Sequence, residues 1–152
     1  MKVIILGTGT STGIPEVGCG CPVCQSDDQR DRRLRTSALV ITDQGKRILI
    51  DCGPDFHEQA TRLMLDRVDA VLLTHEHYDH TFGLDDIRTI AWRQEVPIYG
   101  QERTLEAGPI PTQGRHALAS IPSSRASPSR SAARRSSPYP SCTALCPSSA
   151  TV

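Results

Sequence analysis

Apolar residues along the first hundred positions fall in short blocks separated by turn-forming residues. Val3, Ile4, Ile5 and Leu6 form a continuous run of strand length, which predicts a fully buried first strand. Residues 37–42 and 47–51 are β-branched and leucine-rich and flank Asp43-Gln44-Gly45-Lys46, so they predict a hairpin. Asp55 stands where a helix N-cap belongs, with Glu58 three residues on to complete a capping box. Phe56, Ala60, Leu63 and Met64 then recur at helical spacing and predict one apolar face, with His57 off it on the surface. Residues 69–74 return to the character of a buried strand, which makes a β–helix–β unit.

Leu84, Ile87 and Ile90 predict a further helix, and Asp85 and Asp86 near its start suit the helix dipole better than a metal. Residues 96–100 predict a strand and 101–106 the opening of a helix, while the charged stretch 26–35 reads as a solvated loop or short helical turn. Strands alternating with helices place the chain in the α/β class. From Gly108 the periodicity stops.

Composition sharpens that change. All 17 acidic residues and 12 of the 17 basic residues lie in 1–106, so this part carries a formal charge of −5 and the remainder +5. Residues 115–152 hold 11 Ser, 7 Ala, 5 Pro and 5 Arg among 38, too little apolar surface to offset the entropy of ordering. The chain therefore divides into 1–106, a folded part, and 107–152, a low-complexity tail that is either disordered or translated out of frame. The residues that take over have several GC-rich codons, so a change of reading frame between about codons 100 and 115 is the expectation, with an evolved disordered tail as the competing account. The arginines come without an aromatic platform for nucleic acid, and Cys142 and Cys146 read as incidental.

No apolar run approaches the roughly 18 residues needed to cross a bilayer, and Val3-Ile4-Ile5-Leu6 is too short for a signal-peptide core. A cytoplasmic location follows as the expectation. There the six cysteines are metal ligands or thiols rather than disulfides.

The chemistry sits where the strand 69–74 ends, in His75-Glu76-His77-Tyr78-Asp79-His80. On an extended segment residues two apart point the same way, so His75 and His77 can converge on one ion, and Asp79 and His80 can face a second. Imidazole and carboxylate suit zinc, manganese or iron. Glu76 need not be a ligand, and the zincin pattern H-E-x-x-H fails because position 79 is Asp79. Residues 7–13 form a glycine-rich loop without the lysine of a phosphate-binding P-loop, so a tight turn is the plainer reading. Cys19, Cys21 and Cys24, spaced by Gly and Pro, can wrap one zinc if a fourth ligand comes from elsewhere. Asp51, taken alone, is a turn residue.

His75-Glu76-His77-Tyr78-Asp79-His80 resembles the H-x-H-x-D-H signature of the metallo-β-lactamase superfamily. Together with Leu6-Gly7-Thr8-Gly9-Thr10-Ser11-Thr12-Gly13-Ile14-Pro15 and the cysteine cluster, it is similar to the branch that includes the phosphoribosyl cyclic phosphate phosphodiesterases. The resemblance covers about residues 1–106. It implies an αββα sandwich of which this chain supplies the N-terminal half. It implies two divalent ions, zinc or manganese, with His75 and His77 on one and Asp79 and His80 on the other. Asp79 then serves as the catalytic group, Asp51 supports the ligand loop, and Cys19, Cys21 and Cys24 hold a structural zinc. The implied reaction is hydrolysis of a small cyclic or linear phosphodiester by a metal-bound hydroxide. The cysteines favour that branch over tRNA 3′ processing, the alternative within the superfamily. The resemblance leaves the oligomeric state open, a homodimer included. Downstream of His80 the chain has one histidine, His116, and no aspartate after Asp86. A truncated, inactive metal-binding fragment is therefore the other expectation.

Overall fold

A computed structural model describes residues 1–107 and 117–121. Within them lies a single mixed sheet of six strands in sequential order: β1 (Lys2–Gly7), β2 (Ser37–Ile41), β3 (Arg47–Ile50), β4 (Ala70–Leu72), β5 (Ile98–Gly100) and β6 (Leu118–Ser120). The β1–β2 and β2–β3 pairs are antiparallel and the remaining three are parallel. Gly45, at φ 78°, closes the β2–β3 turn in the left-handed region that glycine enters without strain. Helix α1 (Phe56–Arg62) crosses from β3 to the parallel β4, as the pattern predicts.

One register row runs the width of the sheet: Ile4, Leu39, Leu49, Val71, Ile98 and Leu118 are successive partners. The middle four of these lie in the core, where Phe56 of α1 and Leu84, Ile87 and Ile90 join them. Leu84 and Ile87 lie on a 3-10 turn, Leu84–Ile87, that leads into α3 (Arg88–Ala91). Their inward placement follows the predicted spacing, although the predicted helix is split between two short elements.

The opposite face is also apolar. Ile5, Ala38, Ile50, Leu72 and Tyr99 form a second row, with Val3, Val40 and Ile48 beside it. Val3 is 52% and Ile5 61% exposed, so β1 is not the fully buried strand its sequence predicts. It is an edge strand whose run of apolar residues supplies both faces, only one of them covered among the described residues.

Two further expectations fail locally. Asp55 precedes α1 but makes no capping hydrogen bond. Its carboxylate instead accepts from the Arg35 amide at 2.7 Å and the Arg35 guanidinium at 2.7 Å. The apolar face of α1 does not continue past Arg62: Met64 has φ 48° and is 87% exposed, and Leu63 is exposed as well. The chain leaves the helix one turn early, and the inward positions are Phe56 and Gln59.

Strand β6 is absent from the sequence prediction. Three residues of weak apolar character after a stretch broken by Gly108, Pro109, Pro111 and Gly114 carry too little periodicity to identify a strand, and its place comes from parallel pairing with β5. His116, Cys142 and Cys146 lie outside the described residues.

Candidate metal centre

Pairing directions bring the C-terminal ends of β1, β3, β4 and β5 and the start of β2 to one edge of the sheet. The segment after β3 and the loop after β4 meet there. Asp51, at the end of β3, is 3% exposed and has φ 58°. For a residue with a Cβ that conformation costs about 1 kcal/mol, so the contacts around it must offset the strain.

Those contacts are specific. The Thr74 amide donates to Asp51 Oδ1 at 2.8 Å, the Thr74 hydroxyl lies 2.8 Å from Oδ2, and His80 Nδ1 lies 2.8 Å from Oδ2. An ionised carboxylate only accepts, so both the hydroxyl and Nδ1 donate to it. The Thr74 oxygen, its proton committed to Asp51, accepts from His75 Nδ1 at 2.9 Å. Assigned from these partners, both histidines carry their proton on Nδ1 and present the lone pair of Nε2. One buried carboxylate thus orients two imidazoles, the usual role of the groups behind metal ligands.

The rings converge. His75 and His77 have centroids 4.6 Å apart at 70°, and His75 and His80 4.0 Å apart at 51°. Asp79 and His80 lie on α2 (Tyr78–Thr81), a single turn, with His80 Nε2 3.2 Å from Asp79 Oδ2. A lone pair facing a carboxylate oxygen at that distance calls for a cation or a shared proton between them. Burial first, then the His80 and His77 rings, holds the His75 pKa below its ordinary value, with Asp51 and Asp79 opposing. Neutral imidazole is the form that binds a metal. The donor set therefore fits divalent ions.

Close backbone packing fixes the loop against its support. The Cys52 amide donates to the His80 carbonyl at 2.8 Å, and the Gly83 amide to the Cys52 carbonyl at 2.8 Å. A Cβ on Gly53 would stand 2.0 Å from the Asp79 carbonyl oxygen, and one on Gly83 1.9 Å from that of Gly53. Cys52 between them is fully buried, and burial drives its thiol pKa well up, so it is an inert core group. Glu76 forms an ion pair with Arg103 of α4 (Glu102–Ala107). An open cleft of about 500 Å³ adjoins the loop, lined by Glu76, His77, Tyr78, Asp79 and Ala107.

The thiols of Cys19, Cys21 and Cys24 lie within 4.8 Å of one another. The Cys24 amide donates to Cys21 Sγ (3.4 Å) and the Glu16 amide to Cys24 Sγ (3.4 Å). Three sulfurs at this spacing fit one zinc that takes its fourth ligand elsewhere. Among the described residues this is the only set of three or more such ligand atoms so closely grouped. No three donors of the motif lie that close together among the described residues. Asp85 pairs with Arg88 at 2.7 Å, and His57 is exposed on α1, away from the imidazole cluster.

Sequence reasoning passed over Thr74, Gly53, Gly83 and Arg103. A hydroxyl immediately before H-x-H is a signal for the first. The glycines' role depends on a backbone approach between distant segments, and no local pattern encodes it.

An α/β sheet carrying imidazoles and carboxylates on a strand-end loop suits a metal-binding protein. Residues 46–120 match the beta-lactamase superfamily domain. A solved structure described as a new diphosphatase from the PhnP family is 39% identical, with a TM-score of 0.71 over 78% of this chain and 50% of that one. Zinc-bound PqqB from Methylobacterium extorquens is 24% identical and has the same fold, with a TM-score of 0.65 over 80% of this chain and 50% of that one. The chain belongs to the metallo-β-lactamase superfamily and has the hydrolase-like fold of its members. An octanoyltransferase of Porphyromonas gingivalis (strain ATCC BAA-308 / W83) is 60% identical over 107 residues, which are 70% of this chain and 22% of that protein. The chain thus spans under a quarter of that curated relative and half of each solved one. No helix among the described residues is long and apolar enough to cross a membrane.

Proposed function

We propose that this chain is the N-terminal part of a two-metal phosphodiesterase acting on a small cyclic or linear phosphodiester. The observation that carries the reading is the Asp51–Thr74–His75/His80 relay, which commits Nδ1 of both histidines and leaves each Nε2 lone pair available to a metal. His75 and His77 would hold one ion and Asp79 and His80 the other, zinc or manganese, with a structural zinc on Cys19, Cys21 and Cys24. When bound, such ions supply Lewis acidity and activate water. The chain's own residues orient the ligands through Asp51, favour the neutral form of His75 by burial, and fix the loop through Gly53 and Gly83. The Glu76–Arg103 pair ties the loop to α4 and shapes the cleft wall.

The diphosphatase likeness, at 39% identity and with half of that protein covered, favours hydrolysis at a phosphorus centre. The octanoyltransferase name describes a protein of which the match is 22%, so it carries no activity over to this chain.

We also propose that the 152-residue chain is inactive by itself. The apolar row of Ile5, Ala38, Ile50, Leu72 and Tyr99 is a sheet face of the kind the second half of an αββα sandwich covers, and that half would bring the remaining ligands. The experiment is an assay on bis-p-nitrophenyl phosphate and on pre-tRNA with zinc or manganese. It compares the 152-residue chain with versions whose codons beyond 106 are read, and continued, in each of the other two frames. An extended protein should hydrolyse the diester, and His77→Ala should abolish this. Cleavage of pre-tRNA alone would reverse the substrate assignment, and an inactive series would remove the enzyme reading.

A further inference from the structure

Asp51 leaves β3 with φ 58°, a conformation that residues with a Cβ rarely adopt. The β2–β3 ladder ends one position earlier, at the Ala38–Ile50 pair, and Ser37, the first residue of β2, stands where the next partner would be. A side chain takes over there from the backbone. The Ser37 hydroxyl donates to the Asp51 carbonyl oxygen at 2.8 Å, with the Ile50 carbonyl oxygen at 3.1 Å as a second acceptor. Ser37 and Asp51 are both buried, so the bond is strong and its loss leaves a carbonyl without its donor.

The backbone on either side is also held. The Asp51 amide donates to the Leu72 carbonyl at 2.9 Å, and the Cys52 amide to the His80 carbonyl at 2.8 Å. With the amide and the carbonyl of Asp51 both fixed, the direction of its Cα–Cβ bond is set. From that direction the carboxylate meets the Thr74 amide and His80 Nδ1, each at 2.8 Å. Of these backbone anchors, the Ser37 bond alone comes from a side chain, so one substitution can remove it without disturbing a ladder.

We propose that Ser37 is a positioning residue of the metal centre. Its hydroxyl holds Asp51 in the left-handed conformation from which one carboxylate sets the Nδ1–H tautomer of His75 and His80. It thereby ties the ligand loop after β4 to β2, a strand that brings no ligand of its own. The consequence for metal binding rests on the hydrolase reading; the tautomers do not. The test records the imidazole nitrogens of the ¹⁵N-labelled, metal-free 152-residue chain by NMR, at a pH where the rings are neutral. The parent should show His75 and His80 in the Nδ1–H form, and Ser37→Ala should bring in the Nε2–H form at both. With Cys19, Cys21 and Cys24 changed to serine, Ser37→Ala should also weaken zinc binding at the histidine loop about tenfold by calorimetry. Ser37→Thr keeps the hydroxyl and should keep the parent's tautomers. Leu39→Val, two positions along on the same face of β2, loses stability without touching the relay and should keep them too. Ser37→Cys, a weaker donor, replaces the alanine variant if that does not fold, and should show both tautomers. A folded Ser37→Ala or Ser37→Cys protein with the Nδ1–H form alone would overturn the proposal, as would a mixture of tautomers in Leu39→Val. Hydrolysis of bis-p-nitrophenyl phosphate by the extended protein judges the hydrolase reading separately.

Discussion

Asp51 Oδ2 lies 2.8 Å from His80 Nδ1, across 29 positions of sequence, and the carboxylate is 3% exposed. The same carboxylate takes the Thr74 hydroxyl and, through it, orients His75. Asp51→Ala should leave the Thr74 amide without its partner and cost about 1–3 kcal/mol in chemical denaturation. Asp51→Asn, closer in shape, should fold but bind zinc at the motif loop about 10- to 100-fold more weakly by calorimetry. Unchanged zinc affinity in a folded Asp51→Asn protein would show that the relay does not serve the metal.

Gly53→Ala and Gly83→Ala should each destabilise the fold by about 3 kcal/mol, because the added carbon meets backbone oxygen that cannot yield cheaply. Gly18→Ala is the control for backbone conformation alone: its φ is 77°, but a Cβ there meets nothing within 4 Å. Urea midpoints in the order Gly18→Ala above Gly53→Ala check the assignment. Equal midpoints would mean that the close approach does not decide stability.

Asp69 clamps the other end of β3 and β4. It accepts from the Arg47 amide at 2.9 Å, from Lys46 at 3.2 Å and from Arg67 at 3.1 Å. Burial is the largest single influence and acts upward, but these donors and the Arg67 charge together hold its pKa below the ordinary value. A carboxylate with a depressed folded pKa stabilises above its unfolded pKa, near 3.9, and loses that contribution as pH falls through the folded value. Asp69→Asn should therefore cost about 1 kcal/mol at pH 7, and the difference from the parent should shrink steadily below about pH 4. A difference independent of pH would assign the effect to shape rather than charge.

The open sheet face predicts behaviour in solution. Val3 and Ile5 stand exposed on an edge strand beside Val40, Ile48 and Ile50. Contiguous apolar surface next to an unpaired edge drives association. The chain should aggregate or require a partner, and Val3→Thr with Ile5→Thr should raise its solubility. A parent chain that is monomeric and melts cooperatively would contradict this.

The β2–β3 hairpin, the β3–α1–β4 crossover and the inward positions of Leu84, Ile87 and Ile90 were legible because each is encoded by local periodicity and turn chemistry. The motif was legible because its donor types are unusual at that spacing after an apolar strand. The early end of α1 was not, since the pattern at Leu63 and Met64 is helical and the left-handed turn at Met64 follows from the route to β4. Asp55 shows the same limit: its sequence context suggests a cap, while a residue twenty positions away claims its carboxylate. Strand β6 and the Gly53–Asp79 contact depend wholly on distant segments.

The most direct test concerns the motif itself. Zinc and manganese are titrated calorimetrically into the chain carrying Cys19→Ser, Cys21→Ser and Cys24→Ser, so that only the histidine loop reports. Weak binding is expected, because four ligands divided between two sites leave each about half built, and His77→Ala should abolish it. Tight binding of two ions that persists in His77→Ala would contradict the account and place the metal centre elsewhere.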